Sequence, residues 1–174
     1  MLKFFQALAL LLAIGSTTPS IAKPIHIIAA ENFYGSVAKQ IGGNYVQVTS
    51  ILNQPDQDPH LFNLTPSVAK ILEQGDLIVY NGLGYDPWMQ NLLSVGTASP
   101  RTVICVADLI HRKEGANPHI WYDPDTMPVY ATALRDYLIK HDPDHQKEYQ
   151  AHYQQFIAQQ QHLWRLIKKI KVQH

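Results

Sequence analysis

Short apolar runs alternate with amphipathic segments along this chain, and the alternation predicts its elements. "PIHIIAA" (24–30) reads as a strand. In the segment that follows, 31–43, Phe33, Val37 and Ile41 recur at helical spacing and glycines close the run. "YVQVTSIL" (45–52) alternates and is rich in β-branched residues, a second strand. Thr65 is placed to cap a helix over 66–75 with Pro66 at its first position. A third strand is predicted at 76–81, a helix at 86–95 and a fourth strand at 102–109. Repeated strand–helix–strand units predict an α/β fold, a parallel sheet with flanking helices. Ligands of such sheets gather beyond the C-terminal ends of the strands.

Helix then takes over. Residues 123–141 carry Val129, Ala133, Tyr137 and Leu138 on one side. From Pro143 to Ile170 a longer stripe follows, with Tyr149, Tyr153, Phe156, Leu163, Trp164, Ile167 and Ile170 at three- and four-residue steps. At about 1.5 Å per residue this helix runs roughly 40 Å, more than one small domain needs.

Before the first strand, Lys3 precedes an apolar run from Phe4 to Ile14, and small residues stand at Ser20 and Ala22. This is the pattern of a cleavable signal peptide over 1–22, and the apolar core is too short for a span of roughly 20 residues. It implies export to the periplasm. No cysteine follows the apolar run for lipid attachment. Cys105 is the single cysteine, in the apolar "TVICVA", so no internal disulfide can form and a packed, inert thiol is expected. Lys and Arg together number 14, as do Asp and Glu, and no basic stripe precedes the last turn of the chain, so nucleic-acid binding has no electrostatic footprint here.

Two histidines stand in matching contexts. His60 in "DPHLF" and His119 in "NPHIW" each follow a proline and precede an aliphatic and then an aromatic residue. Both lie on loops leaving predicted strand regions, so both should emerge at one edge of the sheet. A preceding proline stiffens each loop and lowers the entropy cost of holding an imidazole. Two neutral imidazoles at one edge are half of a metal site. Either histidine could instead be structural, packing at a loop–helix junction.

Three blocks taken in order sharpen that choice: "IIAAENFYGSVAKQIGG", "DPHLFNLTPSVAKILEQGDLIVYNGLGYDPWM" and "NPHIWYDPDTM". With them the chain resembles the substrate-binding proteins of ABC transporters for zinc and manganese, the cluster A-I or zinc-uptake family, through almost all of residues 23–174. The resemblance implies that His60 and His119 are the first two metal ligands. It implies zinc as the transported ion, with manganese the alternative and iron open, and an inner-membrane ABC permease as partner. It also implies two α/β lobes joined by one long helix. Residues 23–142 resemble the N-terminal lobe and 143–174 the connecting helix, with the chain truncated before the second lobe that supplies the remaining ligands. The interval "IHRKEGANPH" (110–119) holds only His111, where many zinc-type members carry a His- and acid-rich insertion.

The remaining residues have simpler expected roles. Glu31 and Asn32 either support the site from behind or cap the first helix, and Asp58 and Asp123 could orient an imidazole, although a helix cap suits Asp123. "NGLGYDPW" (81–88) reads as a tight, partly buried loop without the Lys-Ser/Thr of a phosphate loop, and Tyr80, Tyr85 and Trp121 are expected in the core. A zinc hydrolase would need a third ligand, an open position and a general base, and no HExxH stands in the chain. An inert truncated product is the other alternative. Cleavage after Ala22 is the first prediction: N-terminal sequencing of exported protein should begin at Lys23, and a membrane-bound chain beginning at Met1 would contradict it.

Overall fold

The computed structural model describes residues 23–94 and 101–172; the expected signal sequence lies outside them. Four strands form one sheet in the order β2-β1-β3-β4, with β1 at Ile25–Glu31, β2 at Val46–Leu52, β3 at Leu77–Tyr80 and β4 at Thr102–Cys105. Every pairing is parallel, with Ile27 opposite Val48 of β2's neighbouring ladder and opposite Leu77 of β3. A parallel sheet is covered on both faces, which is why β1 is an apolar run with six of its seven residues buried.

The alternation of β1 divides the core. Ile27 and Ala29 face helices α1 (Asn32–Gly42), α5 (Thr126–His141) and α6 (Gln146–Val172), packing with Tyr34, Val37, Ile41, Tyr130, Leu134 and Phe156. Ile28 and Ala30 face the other way, onto Val68 and Leu72 of α2 (Pro66–Leu72) and Trp88 and Met89 of α3 (Pro87–Ser94). Helix α1 lies close against β2 because Gly35 has no side chain; a Cβ there would stand 2.1 Å from Ser50 Oγ. The expected cap of α2 is present, with Thr65 Oγ1 accepting from Val68 N at 3.4 Å.

Three expectations need correction. The fourth strand does not run to residue 109: it stops at Cys105, and Val106–Leu109 form a helical turn, α4. Its partner β3 is only four residues long, so the ladder runs out at the Tyr80–Cys105 pair. The buried face of α5 is Tyr130, Ala131, Leu134 and Leu138, while Val129, expected inside, is exposed; the apolar stripe turns by one position to meet both α1 and α6. The last helix begins at Gln146, after a 3-10 turn at Pro143–His145.

Helix α6 spans roughly 40 Å at about 1.5 Å per residue. Its first half is anchored: Tyr149 and Phe156 are buried, Tyr149 Oη donates to Asp142 Oδ2 at 2.6 Å, and His152 Nδ1 lies 3.0 Å from the Ile41 carbonyl oxygen. Beyond it Leu163, Leu166 and Ile170 are exposed. Leu134 of α5 is fully buried in the cluster that α5 shares with α1 and α6. Leu134→Ala should cost about 2–5 kcal/mol in urea unfolding, the range for emptying a buried leucine site.

Candidate metal centre

Strand order places the site before any side chain is considered. From β1 the chain first adds β2 on one side and later β3 on the other, so a crevice opens between the C-terminal ends of β1 and β3. Glu31 ends β1 and Asn81 follows β3 at this crevice, both buried.

The turn after β3 builds the floor. Gly82, Leu83 and Gly84 all adopt positive φ, at 82°, 56° and 71°, a left-handed run that only glycine accepts without strain and that Leu83 holds at a cost. Gly82 is required twice over, since a Cβ there would stand 2.6 Å from Cys105 Sγ. Asp86 fastens the turn, accepting from Asn81 N at 2.6 Å and Gly82 N at 2.9 Å. The result is that Tyr85 stands up from the crevice.

Tyr85 is the common neighbour of both candidate ligands. Its ring centroid lies 5.3 Å from that of His60 and 5.6 Å from that of His119, edge-on in both cases. Trp121 packs against Tyr85 at 4.6 Å and against His119 at 5.1 Å, and stacks on Phe33 at 4.7 Å. Tyr85 and Trp121 are therefore half-buried walls of the site, not core residues; the tight turn holds Tyr85 outward where a core position would face it inward. Both imidazoles are exposed, and Leu61 and Tyr122 beside them are each 75% exposed.

The two histidine loops share one local device. In "DPH" Asp58 Oδ1 accepts from His60 N at 2.8 Å; in "NPH" Asn117 Oδ1 accepts from His119 N at 2.9 Å. Each is an Asx turn closed over a proline, in which a short polar side chain replaces a backbone acceptor. The Asx two residues before each histidine was the available signal in the sequence. Asn117 is also 2.9 Å from His119 Nδ1. Asn81, another residue that pattern reading passed over, donates from Nδ2 to the Pro118 carbonyl at 2.9 Å and accepts from Tyr34 Oη at 2.6 Å.

Among the described residues neither Asp58 nor Asp123 hydrogen-bonds to an imidazole ring. Asp58 holds the backbone of its loop. Asp123 pairs with Arg112 and accepts from Asp125 N at 3.1 Å, so the residue at the start of α5 is Asp125, which makes no side-chain cap. The Cys105 thiol is half-buried at the end of β4, where burial pushes its pKa up. Among the described residues no group of three or more His, Cys, Asp and Glu side chains is arranged to hold a metal ion.

Glu31 neither caps α1 nor points at solvent. No hydrogen-bond donor reaches either of its carboxyl oxygens, and it is 3% exposed. Burial, and next the charge of Asp86, push its pKa up to about 10. A Glu31 that keeps its proton avoids setting two like charges side by side in one buried place. Asp86 is itself raised by burial, against the two amides and the Glu31 contact that favour its charge.

This is one α/β lobe with two histidine loops converging on its switch crevice, the architecture of a metal-binding receptor lobe. The chain belongs to the ZnuA family, described as zinc-uptake complex component A periplasmic, whose model matches residues 27–173. A relative from Thermotoga maritima is 36% identical over 134 residues, which is 70% of this chain and 48% of that protein. The manganese-binding lipoprotein MntA of Halalkalibacterium halodurans is 28% identical over 144 residues, covering 80% and 47%. Among solved structures, the periplasmic zinc binding protein TroA from Treponema pallidum superposes with a TM-score of 0.71 at 27% identity, over 81% of this chain and 53% of that one. The chain spans about half the length of the curated relatives it matches.

The buried carboxyl pair generates a pH prediction. Unfolded, Glu31 ionises above about pH 4.3. Folded, it keeps its proton to about 10. The native state thus binds more protons in that window, and stability falls as pH rises through it, by up to about 1.4 kcal/mol per pH unit. Glu31→Gln keeps a neutral side chain of similar shape without the titration. Its thermal unfolding should match the unmodified chain near pH 4.5 and lie higher at pH 8; a variant less stable at pH 8 would contradict the raised Glu31 pKa.

Proposed function

We propose that this chain is the N-terminal lobe and connecting helix of a periplasmic receptor that captures zinc, or alternatively manganese, for an inner-membrane ABC permease. In this reading residues 1–22 are the signal peptide, 23–142 the metal-binding lobe and 143–174 the linker helix. His60 and His119 supply two ligands. The observation that carries the proposal is the convergence of two Asx-Pro-His loops on the single ring of Tyr85.

The chemistry supports capture and release. Two imidazoles beside an aromatic wall offer a divalent ion nitrogen donors. Imidazole nitrogens suit zinc, which bonds them at about 2.0–2.1 Å in four-coordinate sites. Manganese favours oxygen donors, so the ligands that complete the shell would decide between the two ions. Those ligands belong, on this proposal, to a second lobe. The exposed apolar residues at this edge, Leu61 and Tyr122, and those on the far half of α6 support a body that covers them. The half-length match to TroA and to MntA, a zinc-binding and a manganese-binding protein, supports the same division.

Calorimetric titration of the purified chain with zinc tests the proposal. Binding should be weak and one-to-one, with water completing the shell. His60→Ala and His119→Ala should each weaken it by about tenfold or more, equivalent to about 1.4 kcal/mol. Binding that survives both substitutions would put the ion elsewhere and refute the site.

A further inference from the structure

One side-chain oxygen decides which nitrogen of His119 is free. Asn117 Oδ1 lies 2.9 Å from the backbone nitrogen of His119 and 2.9 Å from its ring Nδ1. A backbone N–H only donates, so the atom Asn117 turns toward it has to be the carbonyl oxygen; a flipped amide would set NH₂ against N–H. The same oxygen then faces Nδ1, and Nδ1 must carry the proton. A neutral imidazole has one N–H, so Nε2 keeps the lone pair.

The tripeptide is held at a second point as well. Asn81, fully buried, donates to the Pro118 carbonyl at 2.9 Å, and its own oxygen is fixed by Tyr34 Oη. Asn81 and Asn117 therefore hold the residues before and at His119 together. The loop of His60 lacks this arrangement: Asp58 binds its backbone, and among the described residues no hydrogen bond reaches the His60 ring. The two histidines are unequal, one preset and one free to adjust.

We infer that Asn117 is a positioning residue of the metal centre, fixing His119 as the Nδ1–H tautomer and leaving Nε2 to take a divalent cation. The inference rests on the reading of His60 and His119 as ligands. An imidazole that donates its second N–H to a fixed acceptor is oriented and made more basic toward the metal, and removing such an acceptor typically weakens metal binding about 10–100-fold. Asparagine gives the orientation without adding a charge.

Long-range ¹H–¹⁵N correlation spectra of the imidazoles in the whole metal-free chain, at mildly alkaline pH, test the assignment. Asn117 is exposed, so its variants should fold. The unmodified chain should show His119 with the proton on Nδ1. Asn117→Ala should lose that signature, and Asn117→Asp, which keeps both acceptor contacts, should restore it. Zinc alone, added afterwards, should shift Nε2 of His119, with affinity about tenfold or more weaker in Asn117→Ala and recovered in Asn117→Asp. An Nε2–H ring in the unmodified chain, a tautomer that Asn117→Ala leaves unchanged, or zinc bound through Nδ1 would overturn the inference. If the Asn117 pattern holds while zinc moves neither imidazole, the ligand reading itself fails, and the positioning of a metal fails with it.

Discussion

Strand β3 ends after four residues, and the Asp86 carboxylate takes over where its ladder stops. Two amides that would otherwise be left unpaired, at Asn81 and Gly82, point into that carboxylate. A buried amide without a partner costs free energy on the scale of a lost hydrogen bond, so the chain has little freedom at this point. Several features follow. The turn can run left-handed through Gly82, Leu83 and Gly84, Tyr85 is thrown up between the histidines, and Asn81 is aimed so that its side chain reaches the Pro118 carbonyl. The early end of β3 also limits β4, and Ala107 N then donates to the Asn81 carbonyl at 3.0 Å. One anchored carboxylate thus organises the whole upper edge of the lobe.

The arrangement has an electrostatic condition. Asp86 and Glu31 are both enclosed, and charge on the two together would be repulsive there. Burial, and next the charge of Asp86, hold the Glu31 carboxyl protonated to about 10, which removes the conflict. The exposed side of the candidate site presents the two imidazoles and the edge of Tyr85.

Much of this lobe was legible in the chain. The strand–helix alternation gave the sheet, Thr65 and Pro66 marked a helix start that is present, and the repeated Pro-His pointed to two loops at one edge. What was hidden depends on neighbours distant in sequence. The end of β4 is set by the length of β3, and nothing in "TVICVADL" announces it. The buried side of α5 is fixed by simultaneous contact with α1 and α6, and local periodicity chose a stripe one position away. Tyr85 and Trp121 have core composition, yet a left-handed turn and a loop hold them at the surface. Glu31 ends β1 and Asn81 follows β3, adjacent strands some fifty residues apart, and the burial of both could not be seen in either segment alone. The Asx residues of "DPH" and "NPH" were visible in the sequence, but their work on the backbone shows only in three dimensions.

The contact between Trp121 and His119 gives the protein an optical property. Of the three tryptophans in the chain, Trp88 is buried against Phe62 and Trp164 lies on the far half of α6. Trp121 has its indole 5.1 Å from one candidate ligand ring and 4.6 Å from Tyr85, which touches the same ring. Indole emission responds to the charge and mobility of what it touches, so an event at His119 is written into the fluorescence of an adjacent chromophore. The lobe carries a native dye at its mouth.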